Sequence, residues 1–207
     1  MNWEYCDRLI KDLNRRNLRM FDSLKLMKFD ELNVLRSVKS VYERSVALAK
    51  KRYRMIAWNA YVEGYILATN CTRKVAEKKA DESITEDFII EMLDDYDPVT
   101  LYQFEPEAER KAQRLAEALL ASEMKSSEVD KALRLWSLQT SQYADESVVA
   151  GTLEAFKDAG VKKVRWIAVQ DSRTCTICKK RDGNVYLITK VPPRAHWRCR
   201  CLLEIVE

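Results

Sequence analysis

The sequence predicts a mainly α protein: a helical body with one long helix, followed by a small three-stranded β module at the C-terminus. Three observations carry this reading. Gly and Pro number only four each in 207 residues, too few for the turn every roughly 8–12 residues that an all-β sandwich or barrel needs. Apolar side chains recur at steps of three and four through the first 156 residues, the spacing of one face of a helix. The last stretch switches to β-rich segments separated by turn residues and holds four of the six cysteines and the only histidine.

The elements follow in order. Residues from about Asn2 to Phe21 place Trp3, Cys6, Leu9, Ile10, Leu13 and Met20 on one helical face. After a break near Lys28, a long helix is expected from Asp30 to about Asn70. Its stripe is Leu32, Leu35, Val38, Tyr42, Val46, Ala49, Tyr53, Ile56, Ala60 and Ile66, with Gly64 weakening the last turns. At about 60 Å, that helix is expected to outrun the body around it. Its apolar stripe, with Leu35 and Tyr42 central, would then form a partner-binding face. Ser83 and Glu86 read as a capping box for a short helix through Ile89, Ile90 and Leu93, ended by Asp97-Pro98. A connector follows in which Leu101, Tyr102 and Phe104 offer exposed or docking apolar groups. Pro106 suits the first turn of a helix from Glu107 to Met124. Ser126 or Ser127 would cap the next, with Val129, Leu133, Trp136 and Leu138, and a last one runs from Asp145 to Ala159. Gly160 is read as its left-handed C-terminal stop. About six helices therefore make the body, residues 1–160.

Residues 161–207 read as the β module. Val161 to Val169 is one strand, with Val164, Trp166 and Ala168 on one side. Asp182-Gly183-Asn184 is turn chemistry before a second strand, Asn184 to Ile188, and Cys201 to Val206 is the third. Within residues 157–203 there are 12 Lys or Arg against three Asp, whereas residues 1–156 carry 24 basic and 27 acidic side chains. This local excess attracts phosphate or an acidic surface. No apolar run approaches the roughly 20 residues of a membrane span. The N-terminal residues lack the apolar stretch of a secretory signal, so a soluble chain in a reducing cytosol is expected.

Cys175-Thr-Ile-Cys178 and His196-Trp-Arg-Cys199-Arg-Cys201 supply five metal-ligand side chains in two knuckles. Structural Zn²⁺ takes four N or S ligands in a tetrahedron, and a module of this size has little core of its own. The module is therefore expected to be zinc-stabilised through Cys175, Cys178, His196 and either Cys199 or Cys201. Cys199 is preferred because its spacing from His196 matches the first knuckle. A redox pair, disulfides and unliganded core thiols stay open as other readings. Lys162, Lys163, Lys179, Lys180 and Arg181 form basic clusters that read as a solvated face or as a nucleic-acid contact. Trp166 and Trp197 read as core of the module, and Trp3, Trp58 and Trp136 as core or interface of the body. Arg173 is a candidate for bonding the backbone around the first knuckle. There is no Gly-rich phosphate loop and no Ser/His/Asp set with a usable base, so catalysis is not expected.

The ordered set Asp171-Ser-Arg-Thr-Cys175, Cys178, Asp182-Gly183, Pro192-Pro193, His196 and Cys199-Arg-Cys201 resembles the C-terminal module of tailed-phage head-morphogenesis proteins, the Mu F-like minor capsid proteins. The resemblance spans about 40 residues. It implies a minor head component without established catalysis that associates with portal or capsid protein during procapsid assembly, in the host cytoplasm and then in the virion. Self-association and nonspecific DNA contact are compatible with it, and no membrane is involved. The other function class is an independent nucleic-acid-binding protein, with the basic module as reader and the helices as an oligomerisation arm. A sequence-specific DNA site would select that second reading.

Overall fold

The structure, a computed structural model, describes residues 3–28, 30, 32–94, 103–123, 125–172, 174–195, 199 and 201–206. Six helices form the body: α1 (Trp3–Lys25), α2 (Val34–Thr69), α3 (Arg73–Ser83), α4 (Glu86–Asp94), α5 (Phe104–Ala121) and α6 (Lys125–Asp158). The C-terminal part follows as β1 (Lys163–Ile167), a short helix α7 (Thr176–Arg181), β2 (Val185–Leu187), a 3-10 turn at Ile188–Lys190 and β3 (Leu202–Val206). The strands make one antiparallel sheet in the order β2-β1-β3, with Val164 opposite both Tyr186 and Ile205. The mainly helical chain and its small C-terminal sheet are thus as the sequence predicts.

The long helix is present, at 36 residues. The expectation that it outruns the body is not met, and the reason lies in α6. The apolar pattern of residues 125–158 breaks at Gln139-Thr140-Ser141-Gln142, and two helices were expected there. The segment is one helix of 34 residues. Gln139, Thr140, Gln142 and Ser147 are all buried, because neighbours surround α6 and a helix enclosed on several faces has no single apolar stripe to read. This partner, nearly as long as α2, covers the stripe together with α1, α3 and α5. Tyr42, expected on a partner-binding face, is 2 % exposed. Its ring packs edge-on between Phe21 and Trp136, with centroids 5.1 Å away on each side. Leu35 remains partly open at 39 % exposure.

Two glycines let the chain approach or turn as it does. A Cβ at Gly151 on α6 would press into the Ala57 carbonyl of α2, within 2.8 Å of its carbon, so only glycine permits this crossing. Gly160 has φ +77°. The N–H of Val161 bonds the Phe156 carbonyl and that of Gly160 the Lys157 carbonyl. This is the Schellman arrangement expected where α6 stops.

Other local expectations are corrected. The N–H of Phe88 is accepted by Thr85 Oγ1 at 3.1 Å, so Thr85 caps α4. Ser83 closes α3 and donates to Asp158 at 2.6 Å. Helix α3 itself carried too weak a signal to be expected, since only Ala76 and Ala80 are buried along it. α6 begins at Lys125, ahead of the two serines expected to cap it. Phe104, expected in a connector as an exposed or docking group, opens α5 and docks fully buried against Trp136, Tyr53 and Tyr143. Trp136 is core, and its indole N–H donates to Ser45, which donates to Asn17, both at 2.6 Å. Trp58 is half-buried and bonds Asp81 at 2.8 Å. The side chain of Trp3, and Leu101, Tyr102 and Trp197, lie outside the described residues.

Candidate metal centre

The large core of the helices and the small core of the sheet are separate clusters. The second consists of Trp166, Ala168, Cys178 and Cys199, with Cys175, Cys201, Tyr186, Val191, Ala195 and Leu203 packed against it. Val164, Trp166 and Ala168 share the buried face of β1, as their alternation predicts.

Turns set the cysteines in place. The Thr174 hydroxyl donates to the Val169 carbonyl, and a second contact joins it to Asp171 Oδ1 at 3.2 Å, closing the loop that leads into α7. Cys175 is the N-cap of α7, and its Sγ accepts the N–H of Cys178 at 3.3 Å. At the other end of α7, Asp182 accepts from the Ala168 N–H at 2.7 Å and from Gln170 at 2.6 Å. Asp182 is therefore a turn residue, as expected, and it ties α7 to the end of β1. The helix itself was not expected, because six residues between two strands leave no helical period to read.

Cys178 and Cys199 are buried, and their sulfurs stand 3.6 Å apart. The sulfurs of Cys178, Cys199 and Cys201 all lie within 4.8 Å of one another. Both Cys199 and Cys201 thus join the cluster, where the spacing argument preferred Cys199 alone. Cys175 lies beside this trio and acts on the Cys178 thiol. Burial, and then the thiols of Cys201, Cys175 and Cys199, push the Cys178 thiol far above its usual range. Burial also raises Cys201. Cys175 is held down: its partial burial opposes ionisation, but the Cys178 and Ile177 N–H groups outweigh that. Crowded thiols resist ionising together, and a bound dication is the ordinary way for such a set to become thiolates. The buried Trp166 indole N–H reaches toward Cys201 and favours the ionised form of its thiol.

Arg194, which the sequence reading did not single out, is 6 % exposed and donates from its guanidinium to the Cys199 carbonyl. Its charge also reaches Cys6 on α1. That thiol is pushed up to about 12 by burial, then by Asp145 and Asp7, with Arg194 opposing. The module touches α6 through the 3-10 turn at Ile188–Lys190, just before this arginine in sequence. Nothing in the sequence around Arg194 distinguished it from eleven other basic residues of the segment.

The basic residues divide. Lys162, Lys163, Lys179 and Lys180 are exposed. Arg181 is half-buried, stacks over the Trp166 ring at 5.1 Å and donates to the Pro193 carbonyl at 2.6 Å, so it is engaged within the fold. His196 and Arg173 lie outside the described residues.

With this geometry in hand, the comparison with known families is direct. Residues 108–204 match the family model described as Phage Mu protein F like protein. This stretch is Mu F-like. The match begins in α5, takes in all of α6, β1, β2 and the cysteine cluster, and ends inside β3, so it extends well beyond the 40 residues that carry the motif resemblance. No curated protein and no solved structure matches the chain. None of the described helices is long and apolar enough to cross a membrane.

Proposed function

We propose that the protein is a minor head component of a tailed phage, acting structurally in head assembly within the host and retained in the virion. The observation that carries this reading is the Mu F-like match across α6 and the cysteine module. Residues 1–160 would serve as the docking body, and residues 161–207 as a rigid cap held by a structural Zn²⁺. The chemistry of the donor set supports zinc. Three sulfurs converge, a fourth stands beside them, and thiolates favour this ion.

The proposed partners are portal and capsid protein, with DNA contact secondary and nonspecific. Burial of Tyr42 removes that part of the α2 stripe, in the first third of the helix, from consideration as a docking face. The apolar surface left near that end of the helix is the α1–α2 corner, where Leu26 and Leu32 are each 89 % exposed beside Leu35. The exposed Lys162, Lys163, Lys179 and Lys180 offer charge to phosphates without an inserted reading helix.

Co-expression with the portal protein tests the assignment. Leu26→Asp with Leu32→Asp is expected to abolish co-purification while the far-ultraviolet circular dichroism stays that of the native chain. Lys179→Glu with Lys180→Glu is expected to leave co-purification intact and to lower DNA retention at low salt. Loss of portal binding in the lysine pair alone would reverse these roles.

A further inference from the structure

We propose that the metal centre is all-sulfur: Cys175, Cys178, Cys199 and Cys201 are its four ligands, and His196 is not one of them. This rests on the metal reading above and sharpens it, because the motif alone favours three cysteines and the histidine.

Four observations converge on the sulfur set. A tetrahedral ion with metal–sulfur bonds near 2.3 Å separates its sulfurs by about 3.8 Å. Cys178 and Cys199 already stand 3.6 Å apart, close to a tetrahedral edge and far beyond the roughly 2.05 Å of a disulfide. Cys199 and Cys201 are two residues apart in sequence just ahead of β3, and their sulfurs and that of Cys178 all gather within 4.8 Å. Cys175 caps α7 beside Cys178, whose N–H is bonded to its Sγ, and it stands just outside that 4.8 Å grouping. That bond favours a ligand thiolate, which accepts strongly from backbone N–H groups. Finally, the buried Trp166 indole N–H is directed at Cys201, which packs against it, and a liganding thiolate there is the acceptor its position suits.

Charge agrees. Zn²⁺ with four thiolates carries a formal charge of −2. Here it would lie against the Arg194 guanidinium, which holds the Cys199 carbonyl, in a segment with 12 basic and three acidic residues. Four sulfurs fill a structural zinc site, which is closed at four ligands.

X-ray absorption at the zinc edge on the full-length, reduced protein tests this, together with zinc content of His196→Asn and Cys175→Ser. The expected result is one zinc per chain, a first shell of sulfur alone near 2.3 Å, full zinc in His196→Asn and loss of most zinc in Cys175→Ser. The spectrum of the unaltered chain decides the matter even if Cys175→Ser does not fold. One zinc with a nitrogen scatterer at about 2.0–2.1 Å, and zinc lost in His196→Asn, would overturn the sulfur set and leave the metal reading standing. Well under half an equivalent of zinc would overturn both.

Discussion

Asp12 on α1 shows how one side chain fastens two helices. Its carboxylate accepts from Arg52 of α2 at 2.6 Å and from Arg16 of its own helix at 3.1 Å. Partial burial alone would raise its pKa, but the bonds from Arg16 and Arg52 outweigh that and hold it below the usual carboxylate value. The sign of the linkage follows. A carboxyl whose folded pKa lies below its unfolded value of about 3.9 contributes stability that is present above that value and is lost as the pH falls through it toward the folded pKa. Asp12→Asn should therefore lower the melting temperature at pH 7 and flatten its decline below about pH 4. Melting curves of both chains between pH 7 and 3 check this, and parallel declines would rule the ion pair out. At the same scale, the clustered cysteines were legible as types and spacings. The joint arrival of Cys199 and Cys201 was not, because it depends on where the chain entering β3 runs. Arg194 was illegible because its role rests on a bond to the Cys199 carbonyl that only the folded chain makes.

At the scale of elements, the pairing of α2 with α6 organises the body. Helix α2 was legible because its stripe faces one way, and Gly160 and the three strands were legible because their turn chemistry is local. Helix α6 was misread as two helices because its buried polar residues mask its period, and α3 was missed because its core contacts are alanines. The tight crossing makes a sharp prediction. Gly151→Ala forces a methyl group into the Ala57 backbone, an overpacking that costs about 1–3 kcal/mol. Gly64→Ala meets the Ala155 side chain at 3.2 Å, with ordinary contacts to Phe156 and Thr152 at 3.6 Å, and should cost clearly less. Urea denaturation of the two variants measures the difference, and unchanged stability in Gly151→Ala would mean the helices do not cross this closely.

Over the whole molecule, two cores of different size and chemistry sit in one chain. The helical core is large and aromatic and includes Trp136, Tyr53, Phe21 and Phe104. The core of the sheet is four buried residues, two of them cysteines. A cluster so small does not offset the ordering of some 45 residues unless something else binds them. The Mu F-like match bridges both parts by running from α5 into β3, which fits a module that works only while seated on its helices. In the function proposed above, metal holds the cysteine module while the helical body stands by itself. Hydrogen exchange of the full chain before and after EDTA, read by mass spectrometry, measures this directly. The account predicts that chelation strips protection from residues 161–207 and leaves α2 and α6 protected as before. Equal loss throughout the helices, or no change in the module, would contradict it.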